Sequence, residues 1–318
     1  MTIEEGTHTL PDGTQLYTKT WKVGLSSASN RGKGPDGTTK AVLAFVHGFS
    51  DHCNAYYELF PNLASSGIEV RAFDQRGWGR TVKRPKDRGN AGGTALVLSD
   101  IHSFLLGVSP PPKTPLFLMG HSMGGGEVLN YVLHPDSPYT TSNTRPQLAG
   151  VMVYSPLIGL DPATRPWAIT VFLGRLVARI IPRAQRHSPL DTKLVCRDET
   201  VVADYIADEL CHDMGTWEQL VGMLDRGLWL ENLQSGDLTE GKLLPMWLGH
   251  GDADRITSWA ATKKLSGVLG VKGDVTFVSY EGGYHRVHMD PGEVRVRFVK
   301  DVTDWVLKKA EGTEAAAE

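Results

Sequence analysis

The 318-residue chain has little cysteine: Cys53, Cys196 and Cys211 are all there is. The count is odd and no Cys-x-x-Cys pair occurs, which argues against a disulfide framework and a structural zinc site. No asparagine stands in an Asn-x-Ser/Thr sequence, and the start, Met1-Thr2-Ile3-Glu4-Glu5, is acidic without an apolar stretch. A secretory leader is therefore not expected, and an intracellular, cytoplasmic protein in a reducing compartment is. No apolar run approaches the ~18–20 residues that span a bilayer. Charge of one sign is not in excess either: 33 Lys and Arg face 36 Asp and Glu, a net −3. That balance offers nucleic acid no electrostatic footprint. What is present, 41% hydrophobic and 22% charged residues, is the composition of an ordinary globular protein. The length fits roughly two domains, or one α/β domain with an insertion.

Residues 7–22 alternate around Pro11-Asp12-Gly13 and predict a hairpin, and 24–40 read as a surface loop. Ala41–Val46 is an unbroken apolar run, the signature of a strand covered on both faces. Similar runs occur at Ile68–Phe73, Leu116–Met119, Ala149–Tyr154, Leu244–Leu248 and Val275–Tyr280. Helix-length segments lie at 54–65, 93–106, 123–133 and 258–269, and 291–309 has helical spacing. The alternation predicts an α/β fold: a mostly parallel sheet with helices on both faces. It breaks between Pro156 and about Leu238, where no strand pattern appears. Ile169, Phe172, Leu173, Leu176, Val177, Ile180 and Ile181 follow helical spacing there, with Arg175, Arg179 and Arg183 on another side. A second helix runs through Trp217, Leu220, Val221, Leu224 and Leu228. The expected organisation is a core of 1–157 and 239–318 with a helical cap of 158–238.

The strongest chemical signal is Gly120-His121-Ser122-Met123-Gly124, which follows one apolar strand and opens a helix. A serine on a tight strand–turn–helix, flanked by glycines, is the geometry of a nucleophile elbow. The hydroxyl needs a base, and the base needs an orienting acid, in the chain order Ser, acid, His. Gly249–Arg255 offers Asp252 and Asp254; Glu281–His288 offers His285 and His288. Spacing alone does not choose within either pair. An oxyanion needs two N–H donors, for which the candidates are Met123, after the serine, and Phe49, in the loop His47–His52.

Taken together these residues resemble an α/β-hydrolase of the monoacylglycerol lipase group, the serine aminopeptidase type, and its fungal members most. The carriers are His47-Gly48-Phe49-Ser50-Asp51-His52, Phe73–Gly79, Gly120–Gly125, Ser155-Pro156-Leu157, Arg197-Asp198 with Val201, Val202 and Tyr205, His250–Asp254, and Tyr284-His285 with His288. The resemblance implies Ser122 as nucleophile, Asp254 as orienting acid and His285 as base, with Phe49 and Met123 as oxyanion donors. It implies hydrolysis of monoacylglycerols to glycerol and fatty acid through an acyl-enzyme, with a lipid ester as partner and neither cofactor nor metal. Lysophospholipase, carboxylesterase or acyltransferase action on other lipid esters is the alternative within enzymes. A non-catalytic ligand receptor is the alternative outside them, and the intact Ser122, Asp254 and His285 set argues against it. Two departures stand out. Thr257 occupies the position where vertebrate members have cysteine, and Phe49 stands where a small residue is common. The stretches 24–40 and 135–147 also look longer than usual.

Gly32–Gly37 matches G-x-G-x-x-G but precedes a strand, and Gly236–Lys242 lacks the Mg-binding hydroxyl of a P-loop, so neither is read as a nucleotide site. His47/His52 and His285/His288 lack a metal-ligand pattern. For the helix around 168–181 two readings stay open. Either its apolar stripe packs on the core, or part of it sits in a membrane or lipid-droplet surface with the arginines at headgroup level.

Overall fold

The computed structural model describes residues 1–24, 38–141, 143–238 and 243–315. Most of the loop expected at 24–40 and the Gly32–Gly37 pattern lie outside them, as does part of Gly236–Lys242.

Strands β1 (Thr2–Thr9) and β2 (Gln15–Lys22) form the expected antiparallel hairpin. Then β3 (Ala41–Val46), α1 (Leu59–Ser65), β4 (Ile68–Phe73), α2 (Thr94–Gly107), β5 (Leu116–His121), α3 (Met123–Leu133) and β6 (Gly150–Tyr154) alternate. After a long interruption the alternation resumes with β9 (Met246–Gly251), α7 (Trp259–Gly270), β10 (Val275–Tyr280) and α8 (Glu293–Ala315). The eight strands form one sheet in the order β1-β2-β4-β3-β5-β6-β9-β10, parallel from β4 to β10. The order reverses at β3, so crevices open beyond the carboxyl ends of the central strands, where open α/β sheets bind ligands.

The period-two geometry of a strand explains why β3 is apolar throughout. Val42, Ala44 and Val46 face the layer built by α2, α3 and α7. Ala41, Leu43 and Phe45 face the layer of α1 and α8. Within that second layer Phe298 of α8 is fully buried and meets the rings of Tyr154, Trp247 and Tyr280 edge-on.

The structure departs from the sequence reading in four places. The segment 54–65 is not one helix: a 3-10 turn, Cys53–Tyr56, is separated from α1 by Tyr57 at φ +32°. Strands β5 and β9 run on to His121 and Gly251, past the apolar residues that betray them. The interruption between β6 and β9 holds the two expected helices, α4 (Ala168–Ile180) and α6 (Trp217–Asn232). It also contains a small antiparallel ribbon, β7 (Gln185–His187) with β8 (Met214–Thr216), and a further helix, α5 (Glu199–Ala207). Three-residue polar strands are too short to show alternation. The α5 start is marked only by Asp198, whose side chain accepts from Thr200 N–H.

Truncating Phe298 to alanine leaves a cavity between α8 and the sheet and should cost about 3–5 kcal/mol. The expected result is a lower urea midpoint with an unchanged slope. An unchanged midpoint would show that α8 does not anchor this layer.

Candidate active site

The site begins with a backbone conformation. Ser122 closes the turn between β5 and α3 at φ +53°, ψ −120°, a region costly for any residue with a Cβ. Its N–H donates to Tyr154 O at 3.2 Å and its carbonyl accepts from Leu157 N–H at 2.8 Å, so the end of β6 holds the turn. A Cβ on Gly124 would run into the Val46 and His47 carbonyl oxygens, and one on Gly120 into the Gly124 carbonyl. The glycines thus let the first turn of α3 press against β3 and direct the serine over the end of the sheet.

His285 Nε2 lies 2.9 Å from Ser122 Oγ, and His285 Nδ1 lies 2.8 Å from Asp254 Oδ2. The three side chains come from the loops after β5, β9 and β10, and all are largely buried. The other member of each pair makes different contacts. Asp252 accepts from Gly282 N–H at 2.7 Å, a turn contact on the exposed side. His288 is buried away from the serine, stacked on Tyr56 at 4.9 Å, its two ring nitrogens without a partner among the described residues.

Asp254 is held on every side. Its Oδ1 accepts from the N–H groups of Ile256 and Thr257, at 2.8 and 3.1 Å. Its Oδ2 also meets Thr257 Oγ1 at 2.9 Å and His250 Nε2 at 3.1 Å, and His250 Nδ1 in turn meets Thr262 Oγ1 at 2.8 Å. Burial alone would raise this carboxyl. The facing His285 and His250 rings outweigh it and hold the group well below the usual carboxylate range. His250 and Thr257 thus belong to the site, although the sequence reading gave neither a role.

On the other side stands the loop after β3. Gln75 N–H donates to His47 Nε2 at 2.9 Å, so His47 carries its proton on Nδ1 and donates to Gly48 O at 2.8 Å. Gln75 Nε2 also donates to His47 O. Gly48 N–H donates to Tyr56 Oη, which donates to Asp51 Oδ2 at 2.9 Å. The buried Arg286 guanidinium, one residue beyond His285, pairs with that carboxylate at 3.1 Å. The loop bearing Phe49 is thereby fixed beside Ser122; a Cβ on Gly48 would stand 3.1 Å from Ser122 Cβ. Neither the Phe49 nor the Met123 N–H donates to another described residue. The Phe49 ring packs edge-on against Trp78 at 4.9 Å. Asp51, Tyr56 and Arg286 form a support that no local motif announces, because it joins the loop after β3 to the distant loop after β10.

The interrupting segment lies over these groups. Arg226 of α6 pairs with Glu127 of α3 at 3.1 Å, and Gln219 Nε2 lies 3.3 Å from Met123 Sδ. Burial pushes the Glu127 carboxyl up to about 7 even beside Arg226. An apolar cavity of about 330 Å³ opens next to Leu157 and Ile158 and continues under α4 past Pro166, Val171 and Leu224.

A family model described as serine aminopeptidase, S33 (Hydrolase_4), matches residues 37–292. The chain belongs to this family. It is an α/β-hydrolase, a hydrolytic enzyme of the esterase and lipase type. A Schizosaccharomyces pombe protein named provisionally as a monoglyceride lipase is 32% identical over 94% of this chain and 73% of its own. The monoglyceride lipase of Homo sapiens is 28% identical over 94% of this chain and 88% of its own. Among solved structures, a soluble variant of Saccharomyces cerevisiae monoglyceride lipase with a substrate analogue superposes with a TM-score of 0.81. It covers 97% of this chain and 96% of that one at 23% identity, a likeness of fold.

The depressed Asp254 carboxyl has a consequence for stability. Its folded value lies below the unfolded one, near 3.9. Its ionisation therefore adds stability in full above about pH 5, and this is lost as the pH falls toward the folded value. The gap in unfolding free energy between the wild type and Asp254→Asn should be widest near neutrality and narrow below about pH 4. Urea titrations at several pH values test this; a gap that widens in acid contradicts it.

Proposed function

We propose that the chain hydrolyses lipid esters, and monoacylglycerols in particular, through a serine acyl-enzyme. The observation that carries this reading is the hydrogen-bonded chain Ser122 Oγ, His285, Asp254, at 2.9 and 2.8 Å. In it, His285 Nε2 takes the serine proton as Oγ attacks the ester carbonyl. The ionised Asp254 keeps the other proton on Nδ1 and stabilises the imidazolium that forms. The Phe49 and Met123 N–H groups receive the oxyanion, each worth roughly 3–4 kcal/mol in such a site. His285 then protonates the departing glycerol, and the same ring activates the water that frees the fatty acid. The apolar cavity beyond Leu157 is within the size range of small-ligand sites and suits an acyl chain. The names of the relatives, monoglyceride lipases from fungi and mammals, favour this substrate over other lipid esters.

The segment 158–238 acts in this reading as a cap that meets the lipid. Of the two readings of α4, its exposure favours the second. Phe172 is 63% exposed and Ile180 71%, with Trp167, Ile169, Leu173 and Leu176 beside them. So large a contiguous apolar face fits contact with a lipid surface. Arg175 is not free at that surface, since it pairs with Asp225 of α6.

Two experiments test this function. Ser122→Ala should lower fatty-acid release from long-chain monoacylglycerol by about 10⁴-fold or more and abolish labelling by a fluorophosphonate. Matched di- and triacylglycerol and lysophosphatidylcholine dispersions should be poorer substrates. Cleavage of a short aryl ester through Ser122, with no release from any lipid, would keep the mechanism and discard the substrate. Separately, Leu173→Glu should weaken liposome binding while leaving short-ester hydrolysis intact; equal loss of both would sink the lipid-contact role.

A further inference from the structure

His52, on the loop after β3, and Asp208 and Cys211, in the turn after α5, are far apart in sequence and form no recognisable ligand spacing. In the fold they converge. His52 Nε2 lies 2.8 Å from Asp208 Oδ2, and with Cys211 Sγ these ligand atoms all lie within 4.8 Å of one another. We propose that His52, Asp208 and Cys211 form a site for a divalent cation of the zinc class, which ties the loop after β3 to the segment above it.

The donor set selects the metal. One imidazole nitrogen, one carboxylate oxygen and one sulfur are a combination zinc accepts, whereas magnesium and calcium prefer oxygen alone. At zinc bond lengths the ligand atoms of a tetrahedral site stand roughly 3.5 Å apart, so shifts of about an ångström close this group. Three protein ligands leave a fourth position for water. The Asp208 side chain is 26% exposed and the His52 side chain 4%, so the entry is on the Asp208 side.

Local geometry prepares the ligands. Asp208 Oδ1 accepts from Leu210 N–H at 2.9 Å, which leaves Oδ2 turned to the site. Cys211 N–H donates to Asp208 O at 3.0 Å, which fixes the turn carrying both side chains. No hydrogen bond holds the Cys211 sulfur among the described residues. The His52 ring accepts from Asn54 N–H on Nδ1 at only 3.3 Å.

The proton balance is simple. The metal replaces the Cys211 thiol proton, which goes to solvent. The His52 proton passes from Nε2 to Nδ1 through solvent, and the long Asn54 contact is given up. One thiolate and one carboxylate then balance the dication. Two guanidinium groups lie near: Arg286 is already paired with Asp51, while Arg80 faces Asp208 and competes with the metal. His52 stands three residues beyond Phe49. Tying it to the segment above should hinder substrate entry and product release, a consequence that rests on the ester-hydrolase reading, as the binding itself does not.

The test uses the full chain, freed of metal by chelation and titrated with Co²⁺. One equivalent should produce a thiolate-to-metal charge-transfer band in the near ultraviolet, and Zn²⁺ should displace it. Cys211→Ser should abolish the band with Cys53 and Cys196 still present, and Asp208→Asn should weaken binding by at least ~10-fold. Zn²⁺ should slow hydrolysis of a short soluble ester by the wild type and affect Cys211→Ser little, with equal metal-free rates. No band in the wild type, or a band that survives Cys211→Ser, overturns the site. A band with full ester hydrolysis under Zn²⁺ keeps the site and overturns the tie. Absence of ester hydrolysis without metal counts against the enzymatic reading instead, because the Co²⁺ spectrum needs no turnover.

Discussion

One backbone torsion governs the architecture of the site: Ser122 at φ +53°. A non-glycine residue held there costs on the order of 1–3 kcal/mol, and the surrounding fold offsets it. The Tyr154 carbonyl and the Leu157 N–H grip the serine's backbone from the end of β6. On the other side, Gly124 lets α3 approach the β3 carbonyls closely. The hydroxyl can stand out over the sheet only because β3, β5 and β6 are adjacent parallel strands ending at one level. The strain is thus a property of the whole parallel sheet, not of the turn alone.

Around that turn the molecule arranges its charges economically. Burial lowers the basicity of the His47, His121 and His288 rings, which favours their neutral forms in this interior. Two of the buried charges there have facing partners. Asp254 faces His285 and His250, and Arg286 is held to Asp51. An unpaired charge at this depth would cost several kcal/mol. The Arg286–Asp51 pair has a geometric effect as well. It joins the His285 loop to the Phe49 loop, so the proposed base and one proposed oxyanion donor are fixed relative to each other. Arg286 also stacks on Tyr205 of α5, which extends the same connection into the segment above the sheet.

That segment differs in character from the core. The parallel sheet is buried on both faces, while α4 leaves its largest apolar side chains in solvent. The segment is joined to the core by both kinds of contact: Ile158 and Leu230 sit in the apolar layer with α3, while Arg226 pairs with Glu127, Arg197 with Asp290 and His52 with Asp208.

The sheet was legible in the sequence because each core strand is an apolar run and each βα turn carries its glycines. The elbow around Ser122 was legible for the same local reason. Asp254 and His285 could be narrowed only to pairs, since Asp252 and His288 sit in the same loops with the same chemistry. Resemblance to a family chose between them, and the geometry brings that choice together by distance. Nothing local marked His250 and Thr257 as partners of Asp254, nor β7, β8 and α5. The supports at Asp51, Tyr56 and Arg286, and the convergence of His52, Asp208 and Cys211, were equally silent. Sequence by itself determined what depends on neighbours within one turn or one strand: periodicity, tight glycine turns and chain order. Tertiary structure decided what depends on pairs distant along the chain, because burial and charge pairing exist only once the loops have met.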